Sequence, residues 1–298
     1  MVPTAPSALR RHRGMIEDQR IRRLPTIQRV DIEVRSTRLA NGITLPYLQQ
    51  GSPTGVPVVL VHAWGESKGS FDQLLPLVPP SLRTFAMDQR GHGQAGKPAI
   101  GYGLSDFASD VEAFMDAVQI ESAILLGSSS GGYVAQQVAA TSPRRVAGLV
   151  LVGSPRTLEG RPAFADGVDK LTDPIDPDWV RASLGWFPRF HPVPDWYIDD
   201  RVADGVVMPA RVWKESLEGL TTAKPPTQTG TITAPTMIIW GARDELLIRE
   251  DQKALSAAIP GSRLLVYEDT GHLVLWEQPE RVAADLIAFI SALPPTSN

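Results

Sequence analysis

Three serines stand together in Gly127-Ser128-Ser129-Ser130-Gly131-Gly132, directly after the apolar run Ala123-Ile124-Leu125-Leu126. A serine hydroxyl is a weak nucleophile at neutral pH. It becomes a strong one only when a base within hydrogen-bond reach takes its proton and a third group holds that base in place. The spacing Gly-x-Ser-x-Gly between a strand and a helix throws the central serine out at the apex of a tight turn, provided that the residues two before and two after it are too small to collide. Ser129 has glycine at both offsets, whereas Ser130 would have Ser128 and Gly132. Ser129 is therefore the expected nucleophile.

Candidate partners follow two later apolar runs. His272 ends Tyr267-Glu268-Asp269-Thr270-Gly271-His272, and Asp244 ends Trp240-Gly241-Ala242-Arg243-Asp244. In a parallel sheet the carboxyl ends of the strands open onto one edge, so residues just past three such ends can converge there. His272 is expected as general base and Asp244 as the carboxylate that orients it. Asp269 and Glu245 are rival carboxylates: Asp269 shares the histidine's loop, and Glu245 is one residue out of register. Attack on a carbonyl would place negative charge on its oxygen, which two backbone N–H groups commonly stabilise. One is expected from Ser130, at the start of a helix, and the other from Trp64 in Val61-His62-Ala63-Trp64-Gly65. His62 follows a strand directly and is expected to be structural.

These residues need elements to carry them. Val58–Val61, Thr84–Met87, Ala123–Leu126, Leu149–Val152, Met237–Trp240 and Leu264–Tyr267 are short apolar runs of the kind shown by strands covered on both faces. Helical spacing separates several of them. The clearest case is Phe107, Val111, Phe114, Met115 and Val118, with Ser105 and Asp106 as candidate caps, and another helix is expected near Tyr133. Val282, Leu286, Phe289 and Ile290 after Pro279 mark a last helix. Alternating Val30, Ile32 and Val34, then Asn41-Gly42, then Ile43-Thr44-Leu45 predict an opening hairpin with a two-residue turn. The fold class is α/β, with a mostly parallel sheet flanked by helices.

The rhythm breaks between Ser154 and Pro235, too long an interval for a structureless loop, so residues 154–235 are expected to be an inserted, largely helical cap between core segments 30–153 and 236–298. This interval holds Trp179, Trp186, Trp196 and Trp213, with Phe187, Phe190 and Tyr197. Such residues can roof a substrate pocket or fill the core of a small subdomain. Trp64, Trp186, Phe187 and Trp213 are the candidate substrate contacts. An aromatic face exposed on the cap would serve a homodimer as well as a ligand. Residues 1–29 form a basic arm with seven arginines, read as a solvated extension, with a transit peptide or an anionic contact as the alternative.

The net charge of −4 gives no reason to expect nucleic acid or a membrane surface as partner. The chain has no cysteine, which removes disulfides, thiolate catalysis and cysteine metal sites. No apolar run approaches the roughly 18 residues of a membrane span, and the N-terminus lacks a secretory pattern, so a cytoplasmic location is the default expectation.

Taken jointly, the Gly127–Gly131 turn, Val61-His62-Ala63-Trp64, Asp88-Gln89-Arg90-Gly91-His92-Gly93, Gly241 to Asp244 and Gly271-His272 resemble the α/β-hydrolase superfamily, from about Val30 to Leu293. The resemblance implies the fold and the triad roles of Ser129, Asp244 and His272, and it leaves His92 structural. Ala63 stands where relatives commonly have glycine, and Ala95 where a serine often closes the Asp88 segment. A serine nucleophile argues against the branches that use a carboxylate at the turn. What remains is acyl chemistry on a small molecule, with no metal or organic cofactor implied. Hydrolysis of an ester or lactone of a moderately large apolar compound is the expected reaction. A carbon-carbon bond hydrolase and a cofactor-free perhydrolase share the same triad, and a non-catalytic ligand receptor shares the scaffold.

Overall fold

A computed structural model of the protein describes residues 31–294; the basic arm at 1–29 lies outside the described residues. The described residues open with β1 (Glu33–Arg38), β2 (Thr44–Gly51), β3 (Pro57–Val61) and β4 (Arg83–Met87). There follow α1 (Leu104–Ala117), β5 (Ala123–Ser128), α2 (Ser130–Thr141) and β6 (Val146–Val152). Residues 153–235 then leave the sheet and hold α3 (Ala165–Asp169), α4 (Pro177–Ser183), α5 (Asp195–Val206), α6 (Ala210–Thr221) and α7 (Pro226–Thr229). The sheet resumes with β7 (Thr236–Gly241), α8 (Arg249–Ala258) and β8 (Arg263–Tyr267), and the chain closes with α9 (Val274–Glu277) and α10 (Pro279–Ala292).

The strands form one sheet in the order β1-β2-β4-β3-β5-β6-β7-β8. β1 and β2 pair antiparallel, as do β2 and β4, and every other pairing is parallel. The continuous apolar runs have a simple cause. In β3, Val59 and Val61 face a core that includes Phe107, Val111 and Phe114 of α1 and Tyr133 and Val138 of α2. Val58 and Leu60 face the opposite core, with Phe71, Leu74, Trp276 and Val282. Because successive side chains of a strand point to opposite faces, a strand covered on both must be apolar at every position.

Three local expectations are corrected. The first hairpin is not closed by a two-residue turn: Arg38 pairs with Thr44, so residues 39–43 form the connection. Leu39 is drawn into the core, and the Asn41 side chain donates to Asp110 at 2.8 Å, which pulls Asn41-Gly42 out of a tight hairpin geometry. In α1, Gly103 is the capping residue; Asp106 serves it from within the helix by accepting the Gly103 N–H at 2.9 Å, and Ser105 is an ordinary helical position. The helix after Ser129 begins at Ser130, where the backbone donor was expected, rather than near Tyr133.

Two buried ion clusters tie this frame together. The Arg90 guanidinium is 6% exposed and binds Asp110 through Nε at 2.6 Å and Nη2 at 2.6 Å, linking the loop after β4 to α1. Arg201 of α5 is 1% exposed, bonds Asp204 at 2.8 Å and stacks 4.7 Å from the Tyr197 ring. Tyr197 in turn donates to Ser70 O at 2.7 Å, joining the inserted segment to the chain between β3 and β4. Burial alone would lower the Arg201 pKa, but Asp204, Tyr197, Asp72 and Glu66 outweigh it, and the guanidinium is held above its usual value. Removing one partner of a buried pair leaves the other charge uncompensated, at a typical cost of about 3–5 kcal/mol. Asp110→Ala should therefore lose stability of that order in urea unfolding, and a loss below about 1 kcal/mol would show that Arg90 finds another partner.

Candidate active site

The turn between β5 and α2 places Ser129 at φ +48° and ψ −121°, a backbone conformation that non-glycine residues seldom occupy. Hydrogen bonds from Ser129 N–H to Val152 O at 2.8 Å, and from Gly132 N–H to Ser129 O at 2.9 Å, hold it there. The glycines are there for close approach rather than for their own dihedrals. A Cβ on Gly127 would overlap Gly131 and Gly132, and one on Gly131 would overlap the carbonyls of Val61 and His62.

Ser129 Oγ lies 3.1 Å from His272 Nε2, and His272 Nδ1 lies 2.8 Å from Asp244 Oδ2. The second carboxylate oxygen, Asp244 Oδ1, accepts the N–H groups of Leu246 at 2.8 Å and Leu247 at 2.9 Å. With Asp244 and His272 buried and Ser129 partly exposed, the relay has one open end, at the hydroxyl. The structure sends the rival carboxylates elsewhere. Asp269 turns outward towards His191 at 3.5 Å and Arg281 at 3.9 Å, and Glu245 is exposed.

Neither histidine near the β3 and β4 loops joins this relay. His62 is fully buried, with Nδ1 2.8 Å from Ala63 O and Nε2 accepting the Gln89 N–H at 3.0 Å. Burial pushes its pKa down, against the opposing pull of Asp88. His92 places Nδ1 2.9 Å from Arg90 O, and burial, then the neighbouring His62, lowers it to about 3. Beside them, Asp88 accepts Lys68 N–H at 2.7 Å, the Lys68 ammonium at 3.1 Å and Gln94 N–H at 3.0 Å. Three donors therefore serve Asp88 although Ala95 brings no hydroxyl.

Around Ser129 the backbone donors expected for an oxyanion lie close. Ser130 is the first residue of α2, so its N–H has no carbonyl four residues back to bond. Trp64 N–H faces Ser130, donating to Ser130 Oγ at 2.7 Å. The Trp64 side chain is held from above. Its indole N–H donates to Ser216 Oγ of α6 at 2.9 Å, and Ser216 Oγ donates to Val212 O within the same helix. Trp64 also begins a closed circuit of rings. It stacks on Phe164 at 5.9 Å, Phe164 on Trp186 at 4.9 Å, and Trp186 meets Trp179 edge-on at 5.7 Å. Trp179 meets Trp213 at 5.5 Å, and Trp213 returns to Trp64 at 4.6 Å.

Ser129 and His272 open into a cavity of about 340 Å³. Trp64, Trp186, Phe187 and Trp213, the four candidate contacts, all stand in its wall, and the Phe187 ring lies 4.8 Å from that of His272. Ala63 is there too. Phe164 and Trp276 complete the aromatic wall and were not anticipated. Trp276 lies four residues beyond His272 in α9, a proximity that could have flagged it; nothing in the sequence marks Phe164. Charged side chains, among them Glu159, Arg161 and Asp251, also border the cavity. No helix of the described residues is long and apolar enough to cross a membrane.

Comparison with known proteins shows the family. The profile of the alpha/beta hydrolase fold family matches residues 56–279, and the chain belongs to that family. It is 28% identical over 275 residues to a non-heme chloroperoxidase of Streptomyces lividans, covering 85% of this chain and 98% of the relative. It is 24% identical over 287 residues to lipase 3 of a Moraxella strain, covering 88% of this chain and 86% of the relative. Among solved structures, the esterase RhEst1 of a Rhodococcus strain superposes with a TM-score of 0.76 at 25% identity, covering 88% of this chain and 99% of that one.

The buried histidines carry a pH signature. In the unfolded chain an imidazole takes up a proton near pH 6.5, whereas folded His92 resists protonation down to about 3. The unfolded state therefore binds more protons between those values, and stability is full above pH 6.5 and lost as the pH falls. Each such histidine contributes up to about 1.4 kcal/mol per pH unit. Urea midpoints should fall steadily from pH 7 to 5, and His92→Gln should flatten the slope. The carboxylates are tested separately. Asp244→Asn should slow labelling of Ser129 by a fluorophosphonate by about a thousandfold or more. Asp269→Asn and Glu245→Gln should stay within about twofold of the parent, because neither reaches His272.

Proposed function

We propose that the protein is a serine hydrolase that cleaves an ester or lactone bond in a moderately large, apolar small molecule. The observation that carries this reading is the hydrogen-bonded series Ser129–His272–Asp244 with its open end facing an apolar, aromatic-walled cavity. Ser129 Oγ attacks the carbonyl carbon as His272 Nε2 takes its proton, and the carbonyl π pair moves onto oxygen. His272 then returns the proton to the leaving alkoxide, giving an acyl-enzyme. Water, deprotonated by His272, attacks the acyl carbon and releases the acid and Ser129. Asp244 keeps Nδ1–H fixed, so that Nε2 presents its lone pair to the serine, and stabilises the imidazolium while it lasts.

The pocket chemistry supports an apolar substrate. Indole and phenyl faces supply large contact areas at low conformational cost and little hydrogen-bonding demand. The lipase and esterase names of two relatives agree with ester cleavage. The chloroperoxidase name of a third favours a second reading, in which hydrogen peroxide replaces water in attack on the acyl-enzyme and a peracid leaves.

A panel of p-nitrophenyl esters of increasing acyl length, medium to large lactones and a vinylogous diketone tests the proposal. Turnover of esters or lactones, rising with apolar size and lost by at least about a thousandfold in Ser129→Ala, is expected. Faster turnover of the diketone than of any ester would move the reaction to carbon-carbon cleavage. Peracid formation outpacing acid formation on addition of peroxide would favour the second reading. Tight binding by Ser129→Ala with no turnover by the parent would make the protein a receptor.

A further inference from the structure

Ser130 enters the site twice, once through its backbone N–H and once through a side chain that the reaction as written does not use. We infer that the Ser130 hydroxyl is itself a catalytic residue, a side-chain donor to the oxyanion, set in that role by the Trp64 N–H. The inference rests on the proposed acyl chemistry and adds a group to it.

The geometry on which it stands is local. Ser130 Oγ accepts the Trp64 N–H at 2.7 Å, and covalent geometry keeps Oγ within roughly 3–4 Å of its own backbone nitrogen in any rotamer. Ser130 N–H, Ser130 O–H and Trp64 N–H are thus gathered at one point, beside the nucleophile. Ser130 is only 7% exposed, so the group is largely removed from water. Trp64 occupies the acceptor side of the hydroxyl, and no described residue accepts its proton. An anion arriving at Ser130 N–H is an acceptor within reach of that proton. Hydrogen bonds from hydroxyl to oxyanion are short and strong, and a hydroxyl that already accepts an N–H donates more strongly. When the Ser129 Oγ–carbon bond forms, the Ser129 proton passes to His272, and the negative oxygen receives Ser130 N–H and Ser130 O–H together. Trp64 N–H backs the hydroxyl.

A competing arrangement is also visible. A small second cavity, lined in part by Ser130, Gln89 and His92, lies beside the site. Gln89 Oε1 and His92 Nε2 are buried without a hydrogen-bond partner. A hydroxyl that turned to either acceptor would bare the Trp64 N–H. In that case the Ser130 side chain would be an obstruction that substrate must displace, and its removal would speed the reaction. The two arrangements predict effects of opposite sign. The first is favoured because Ser130 Oγ is held by the Trp64 N–H at 2.7 Å and bonds to neither Gln89 nor His92.

The test does not depend on knowing the substrate. A fluorophosphonate phosphonylates Ser129 as the Oγ–P bond forms, the P–F bond breaks with loss of fluoride, and the proton goes to His272; the phosphoryl oxygen needs the same donors. Bimolecular labelling rates are measured for the parent, Ser130→Ala and Ser130→Thr, with thermal midpoints recorded alongside. Ser130→Ala should react about ten- to hundredfold more slowly at an unchanged midpoint, whereas Ser130→Thr, which keeps the hydroxyl, should stay within a few fold. On any aryl ester the protein accepts, the loss in Ser130→Ala should fall on kcat and leave KM within about twofold, as expected for an interaction made in the transition state. A Ser130→Ala rate equal to or above the parent's overturns the inference. If the parent is labelled but hydrolyses no ester or lactone, the proposed function falls while the labelling rates still decide the role of Ser130. A parent that is not labelled at Ser129 overturns both.

Discussion

Ser129 is held at a positive φ, and the rest of the site is arranged around the need to keep it there. Such a backbone costs on the order of 1–3 kcal/mol and persists only where its surroundings over-determine it. They do so from several directions. β6 accepts the Ser129 N–H, the first turn of α2 and the Ser154 hydroxyl bond its carbonyl, and three glycines let neighbouring backbone come within contact of the turn. Because Gly131 packs against the carbonyls of Val61 and His62, the same constraint sets how close the loop after β3 can come. The strained residue and the group that answers its chemistry are thus positioned by one set of contacts.

The inserted segment is part of that arrangement and more than a roof. Arg201 and Tyr197 join α5 to the stretch after β3, where Ser70 and Glu66 lie, and the Ser70 hydroxyl donates to the Glu66 carboxylate. Burial pushes the Glu66 carboxyl up, against the opposing effects of Ser70 and Arg201. On the other side, Ser216 and Trp213 of α6 fix the Trp64 indole. The loop that carries Trp64 is consequently bounded by the core below, through Asp88 and Lys68, and by α5 and α6 above.

Much of this could be read from residue types and spacing. Ser129, Asp244 and His272 follow strands at intervals that a sheet edge requires; two-sided burial made β5 and β7 recognisable as unbroken apolar runs, and β8, at the sheet edge and only partly buried, kept the same apolar pattern. What could not be read depends on contacts between distant parts of the chain. The Trp64 amide meets the Ser130 hydroxyl across 66 residues, and its indole meets Ser216 across 152. Asn41-Gly42 looked like a tight turn because its local preference is strong; Asp110, far along the chain, outweighs that preference. Phe164 carries no local mark at all, since its place in the wall comes from stacking between Trp64 and Trp186.

The circuit of five aromatic rings has a bearing on how such a protein can change over generations. Four of its members belong to the inserted segment, where variation would be expected to retune which molecules are accepted. The fifth, Trp64, carries the amide that donates to the Ser130 hydroxyl beside the nucleophile. A replacement at Trp213 or Phe164 would alter the shape of the pocket and, through direct ring contact, the seating of that amide. On the proposed chemistry, a change of preference at these rings would carry over to turnover. New preferences should be easier to reach through residues outside the circuit, such as Phe187 or Leu217, which border the cavity without touching Trp64 through a ring contact.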